Sequence, residues 1–495
     1  MSLPPSPQLS RRSLLKSGAL IAGAGIAQQF VPSAWANPLG ANDRVRVGII
    51  GLGIKGSQHA KTLSGMAGVE IAALCDVDPA RVAEVKAALA DTPNRGAIFT
   101  TTDLRKLIER NDVDAVLVAA STHWHALASV WACEAGKDVY VEKPVGRTIA
   151  EGRKVMEAAT RYNRIVQTGT QLRSDSDIDE ITDYIRAGKL GRIEWIHGVS
   201  YRPRTSLGRR APWYPEGLDY DLFCGPTPMQ PLEREKLHYD WHWRWRTGNG
   251  DLVNMGVHAI DMIRRFVGDA TMPSRVMSVG GRYVMDDVGD PPNTQFTMMD
   301  FGDVPVIYEN RCLPAKPGGT YGDNFRGQRI GVIVQCEQGY YSGYNGGSIF
   351  DNDDNRILRK SVDVDSVTAH LQNFFDAVRS RREQDVTAPP VIGHHSAQFC
   401  HFGNLSYRVG QTASQGEVDA ALSGVAAAGE GMERMRQHLA VHGVDLDRNP
   451  MTLGPWLELD AANDAITGVQ GGSAEDLAKA RYLVAETERP GYRLG

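Results

Sequence analysis

One short run constrains this chain more than any other: Val45-Arg46-Val47-Gly48-Ile49-Ile50, followed by Gly51-Leu52-Gly53-Ile54-Lys55-Gly56. Its first half is apolar and mostly β-branched, the pattern of a buried strand. Its second half has the G-x-G-x-x-G spacing. The first glycine allows a tight turn, the second lets backbone approach a diphosphate, and the third lets the next helix pack close to the strand. The free N–H groups at the start of that helix, around Ile54 and Lys55, would face the phosphates. Alone the motif is weak, because glycine-rich turns are common. Here a second apolar run, Val69 to Cys75, follows after a helix-length gap and ends in Asp76. A carboxylate at that spacing bonds the ribose hydroxyls of an adenosine. A dinucleotide-binding βαβ unit is therefore predicted. Asp76 and Asp78 would repel a 2′-phosphate, which favours NAD over NADP, and Arg81 blunts that preference.

The 495 residues suffice for two or three domains. A hydrophobic share of 42%, a charged share of 23% and a formal charge of −5 fit a globular protein and give nucleic-acid binding little electrostatic support. Residues 1–36 read as a removable export signal. Ser10-Arg11-Arg12-Ser13-Leu14-Leu15-Lys16 is close to the twin-arginine pattern, a Gly/Ala-rich stretch follows, and Ala34-Trp35-Ala36 has the form of a cleavage site. The apolar stretch is too short and weak for a stable membrane span. The six cysteines lack C-x-x-C spacing and read as buried thiols, in keeping with a route that exports folded protein. No metal site is predicted.

Residues 44–165 alternate strand and helix patterns, which argues for a parallel, doubly wound sheet. The third strand-like run, 115–120, leads into Ser121, Thr122, His123, Trp124 and His125. Ligands bind off the carboxyl ends of such strands, so Ser121, Thr122 and His125 are candidates for the nicotinamide side. The His-Trp-His triplet reads equally as a turn with packing aromatics. The fourth run ends in Glu142-Lys143-Pro144. Proline restricts Lys143 to extended backbone. Beside an oxidised nicotinamide, like charge and desolvation would lower the lysine pKa toward a range useful for moving a hydroxyl proton.

Together, Gly51–Gly56, Asp76, Glu142-Lys143-Pro144 and the later run GNGDLVNMGVHAID at 248–261 resemble the Gfo/Idh/MocA oxidoreductases over roughly residues 44–415. The resemblance implies an α/β fold: an N-terminal Rossmann domain (44–165) and a C-terminal α/β domain (166–415) with a large, mostly antiparallel sheet. Residues 416–495 then form an extension, read as helix and extended tail. It also implies that Lys143 touches substrate and nicotinamide, that Glu142 and Gln171 lie on the cofactor side, that His258 is a catalytic histidine, and that subunits pair as a homo-oligomer. The family usually has aspartate where this chain has Asn254. Asparagine takes no proton, but its amide can bond a substrate hydroxyl or orient His258, which shifts proton handling to His258 and Lys143.

Tyr239, Trp241, Trp243 and Trp245 recur at every second position with His242, Arg244 and Arg246 between them. Trp241, Trp243 and Arg244 are read as a sugar-binding set, with an aromatic core strand as the alternative. Asn254, His258 and Asp261 follow on one predicted helix face, Asp261 as a structural acid. Residues 315–360 are rich in Gly, Asn and Asp and suggest a mobile rim loop; Asp351–Asn355 lacks the EF-hand pattern and reads as a solvated turn.

The predicted chemistry is hydride transfer between a sugar or polyol hydroxyl and nicotinamide, with the proton passing to His258 or Lys143. An exported dehydrogenase would carry its cofactor with it and, unless a partner reoxidises it, return it to its starting state within each turnover. Oxidation of one substrate with reduction of a second satisfies that. So does an NAD-dependent glycosidase working by transient oxidation, elimination and re-reduction. A non-catalytic sugar-binding protein is the third reading.

Overall fold

The computed structural model describes residues 44–92, 97–360, 365–486 and 489–494. The export signal predicted in residues 1–36 lies outside them. A six-stranded parallel sheet is built from β1 (Val45–Ile50), β2 (Val69–Cys75), β3 (Phe99–Thr101), β4 (Ala115–Val118), β5 (Asp138–Val141) and β6 (Val166–Thr168) in the order β3-β2-β1-β4-β5-β6. Helices cover both faces, so β4 and β5 are buried at every residue, which explains their near-continuous apolar sequences. Strand order reverses between β1 and β4, and the crevice beyond their carboxyl ends is where such sheets take ligands. The short strand β6, just past the predicted domain boundary, completes this sheet.

The second sheet has twelve strands. Its main path is β14 (Arg356–Lys360), β13 (Gly347–Asp351), β12 (Gly339–Gly343), β11 (Ile330–Cys336), β7 (Ile193–Tyr201), β10 (Pro305–Arg311), β9 (Thr294–Asp300), β8 (Arg275–Gly281), β16 (Met451–Leu453) and β15 (Gln411–Ala413). β17 (Leu457–Asp460) pairs with β8 and with β18 (Ala465–Val469). Among these pairings β7–β10 is parallel and the rest are antiparallel. One face packs under the helices Gly256–Val267 and Pro390–Val409, where Ile260, Ile263, Phe399 and Phe402 share a core with Val306, Tyr308 and Val332. On the other face, Met432, Met435 and Leu439 of helix Ala426–Val441 meet Met277, Phe296 and Ile307.

Two stretches differ from their sequence reading. The Gly/Asn/Asp-rich region is largely a meander, β11 to β14, and Asp351 closes its last hairpin by accepting from Asp353 N and Asn355 N. Residues 416–495 supply β16, β17 and β18 as well as helices. Strands of three to five residues are too short for alternation to register in sequence. All six cysteines are buried and free. No helix among the described residues is long and apolar enough to cross a membrane.

Candidate active site

The turn after β1 shows why each glycine is there. Gly51 has φ +86°, and a Cβ on it would lie 2.4 Å from Ala120 N. A Cβ on Gly56 would lie 1.8 Å from Gly51 O, so helix Ile54–Ser64 packs against the turn only if residue 56 has no side chain. Gly53 differs: a Cβ there would meet nothing within 4 Å, and no side chain caps the helix it begins. That face therefore offers open space and uncapped N–H groups, which fits a diphosphate. Ile54 and Lys55 are exposed on the same turn. Asp76 accepts from Leu52 N at 2.7 Å and Asp78 N at 3.0 Å, bracing the turn. Burial pushes its pKa up, against those two bonds. Its half-buried carboxylate keeps lone pairs for a ribose diol. The residues present thus fit a bound dinucleotide. Gly56→Ala is expected to abolish nucleotide binding and lower the unfolding temperature; a circular-dichroism melt and a binding titration check both.

At the end of β5, Glu142 is buried. Its Oε1 accepts from His59 Nε2 at 2.8 Å and Gln171 Nε2 at 3.1 Å. Burial raises its pKa, but the His59 bond together with the charges of its basic neighbours, Lys55 and Lys143 among them, outweighs that and holds the carboxyl well below the usual range. Next to it, Lys143 is half-buried and joined to Pro144 by a cis peptide. Its Nζ donates to Asn254 O at 2.7 Å and Asn254 Oδ1 at 3.0 Å, so the lysine spans from the first sheet to the second domain. Burial, helped by the Lys55 charge and opposed by Glu142, lowers the Lys143 pKa to about 8.

Asn254 has its amide fixed from both sides. Its oxygen accepts from Lys143 and its Nδ2 donates to Asp251 Oδ1 at 3.0 Å. Asp251 also accepts from Arg204 Nε and Nη2 at 2.8 and 2.7 Å and from Cys312 Sγ at 3.3 Å. Burial raises the Asp251 pKa, but Arg204 outweighs it and keeps the carboxyl ionised. An aspartate at 254 would set a second carboxylate against this one, whereas an amide both donates to Asp251 and accepts from Lys143. The helix breaks at Met255, so Asn254 ends one helix (Gly250–Asn254) and His258 lies on the next (Gly256–Val267). The half-buried His258 ring has no hydrogen-bond partner among the described residues. Burial and then the Lys143 charge lower its pKa to about 3, so its imidazole is neutral near pH 7. Lys143 is accordingly the stronger base of the two.

Several predicted contacts fall elsewhere. Trp243 is buried with Leu207, Val288 and Cys312 and presents no open ring face to a sugar, while the half-buried Arg244 donates to Val288 O and pairs with Asp290. The alternation they showed belongs to a 3₁₀ turn, Asp240–Trp243, not a strand. Trp241 stays half-buried, its ring 5.7 Å from that of His242. His125 is buried with its ring nitrogens facing Pro144 O and Ala120 O at 2.7 and 2.9 Å; it clamps the lysine–proline corner and has no nitrogen left for a cofactor. Gln171 is buried and bonds Glu142 and Tyr140, acting through the acid. Ser121 begins helix Thr122–Glu134, and the Thr122 side chain is buried. Asp261 bonds Arg173 and Ser396, a structural role. His59, Arg204 and Asp251 were not singled out from sequence. Asp251 stood inside the GNGD turn, and the other two had no local signal. Among the described residues no group of three or more His, Cys, Asp or Glu side chains is placed to share a metal ion.

Known proteins share this architecture. Residues 45–170 match the Gfo/Idh/MocA profile described as an oxidoreductase family NAD-binding Rossmann fold, and residues 195–311 match that family's C-terminal alpha/beta domain. A glycosyl hydrolase family 109 protein of Shewanella pealeana is 29% identical over 228 residues, 42% of this chain and 50% of that protein. Inositol 2-dehydrogenase of Salmonella typhimurium is 33% identical over 163 residues, 32% of this chain and 47% of that protein. The chain thus spans about half the length of the curated relatives it matches. Levoglucosan dehydrogenase, solved with NADH and levoglucosan, superposes with a TM-score of 0.55 at 19% identity, covering 72% of this chain and 96% of that one. The WlbA dehydrogenase of Bordetella pertussis, solved with NADH and UDP-GlcNAcA, gives 0.54 at 16% identity over 73% and 95%. At these identities the structural likeness speaks to fold alone.

Proposed function

The chain belongs to the Gfo/Idh/MocA family of NAD-binding oxidoreductases, and from that premise we propose that it moves hydride between a sugar or polyol CH–OH group and a firmly held NAD. The observation that carries this reading is Lys143, bridging the two domains with its pKa lowered to about 8. NAD, when bound, supplies the hydride acceptor. Lys143 takes the hydroxyl proton, the neutral His258 imidazole accepts a hydrogen bond from that hydroxyl or a neighbouring one, and Asn254 holds Lys143 in place. Glu142, bonded by His59 and Gln171, keeps a fixed negative charge beside the lysine. The inositol 2-dehydrogenase among the curated relatives supports a polyhydroxylated substrate. Export through the twin-arginine route and homo-oligomerisation belong to the same proposal, with the cofactor restored within each turnover.

Similarity to a glycosyl hydrolase family 109 protein supports a second reading, the redox-neutral glycosidase. One experiment separates the two. As-purified protein is screened with free sugars and polyols for reduction of its bound nucleotide, and with aryl glycosides for aglycone release. Hydride traffic with free sugars is the expected result. Aglycone release without net NADH would replace the first reading by the second.

A further inference from the structure

Residues 202–249 leave β7, cross to the six-stranded sheet and return to helix Gly250–Asn254. They meet the first sheet just past β2, immediately after Asp76. There Val77, like Trp213 and Leu218, packs against a cluster formed by Tyr220, Phe223, Cys224, Leu232 and Leu237. His238 Nε2 donates to Asp78 Oδ2 at 2.8 Å. A second attachment uses the His-Trp-His triplet: Trp124 Nε1 donates to Leu222 O at 3.0 Å, and His123 Nε2 donates to Phe223 O at 2.8 Å. A third comes from the far end of the chain. Arg489 donates to Asp221 Oδ1 at 2.5 Å and Gly225 O at 2.9 Å, Tyr492 OH donates to Asp221 Oδ2 at 3.0 Å, and the Tyr492 ring meets Trp124 edge-on at 5.6 Å.

In this fold the adenosine end of a dinucleotide lies over the carboxyl ends of β1 and β2, beside Asp76. We infer that the strap 213–238 is the outer wall of that adenosine subsite, latched by His238 on Asp78 and clamped by the tail 489–494, so that NAD leaves only when the strap lifts. This rests on the NAD assignment above and adds the residues that make the cofactor resident. Three attachments from separate parts of the chain hold one short segment, so opening must break several contacts together, and loosening any one raises the open fraction. The His238 and Asp78 side chains are 37% and 21% exposed, so solvent reaches the latch bond itself, whereas lifting the strap also separates Val77 from its apolar cluster.

The test is release of adenine-labelled NAD from the whole protein. Labelled protein is freed of unbound nucleotide, chased with excess unlabelled NAD and sampled over time. Wild-type protein is expected to hold its label through the separation. His238→Ala and Asp221→Ala are each expected to release it about tenfold faster, the equivalent of one lost polar contact. His238→Gln, which keeps a donor, is expected to restore part of the retention. Asp221 is 56% exposed, so its loss leaves the core intact, and unfolding midpoints without nucleotide check that. Equal release rates in wild type and both alanine variants would overturn the inference, as would wild-type exchange within the mixing time. Absence of any NAD binding by folded wild-type protein would overturn the NAD assignment and this inference together.

Discussion

Replacing Lys143 by alanine lowers turnover on the order of a thousandfold and leaves the nucleotide bound. The magnitude follows from what the side chain does. Its Nζ reaches Asn254 across the cleft, and its pKa of about 8 puts it within reach of a neutral, proton-accepting form at ordinary pH. No neighbour replaces it: His258, at about 3, is far too weak a base, and Glu142 is held ionised below the useful range. The nucleotide stays because the glycine turn and Asp76 belong to a different part of the crevice. Measuring kcat with the sugar that reduces the bound nucleotide, alongside absorbance of the retained nucleotide, reads both halves. Unchanged kcat would remove Lys143 from proton transfer.

The pH dependence fixes the sign. Alcohol oxidation requires the neutral amine, so the wild-type rate rises with pH, about tenfold per unit, and levels near pH 8. Sugar reduction runs the other way. Stability carries the same signature. The folded pKa of about 8 lies below the ordinary 10.5, so between those values the unfolded chain binds more protons than the folded one. Wild-type stability therefore gains a rising component with pH across that window, and Lys143→Ala lacks it.

How much of this was legible in the sequence depended on how local each cause is. The glycine turn was readable because its demands fall on backbone within six residues: a positive φ at Gly51 and the contact of Gly56 with Gly51 O. Lys143 was readable from its place before a proline at a strand end. Asn254 and His258 were legible as neighbours, although the break at Met255 was not. Trp243 and Arg244 show the limit. An every-second-residue aromatic pattern looks the same whether it faces a ligand, lines a strand or winds through a 3₁₀ turn, and only the positions of Val288, Cys312 and Asp290 decide. The His59–Glu142 and Arg204–Asp251 pairs, 83 and 47 residues apart, were invisible because each acquires meaning only when folding brings its halves together. The strands β16 to β18 escaped for lack of length.

That second pair gives the other large effect. Asp251→Ala is expected to destabilise the protein by about 3–5 kcal/mol, the usual cost of leaving a buried charge without its partner. Arg204 has a side chain only 5% exposed, and its remaining partner is Tyr239. Asn254 loses the acceptor that fixes its amide, and Cys312 loses the acceptor of its thiol. With the amide free to turn, its oxygen no longer has to face Lys143, so turnover falls as well. Urea unfolding gives the first number and kcat the second. Replacing Arg204 by methionine in the same chain removes the stranded charge, so the double variant should cost less than the two single losses added together. It should not recover turnover, because Asn254 still lacks its anchor. Strict additivity of the unfolding free energies would mean that Arg204 and Asp251 are not coupled. Full recovery of kcat in the double variant would mean that the Asn254 amide is held by something other than Asp251.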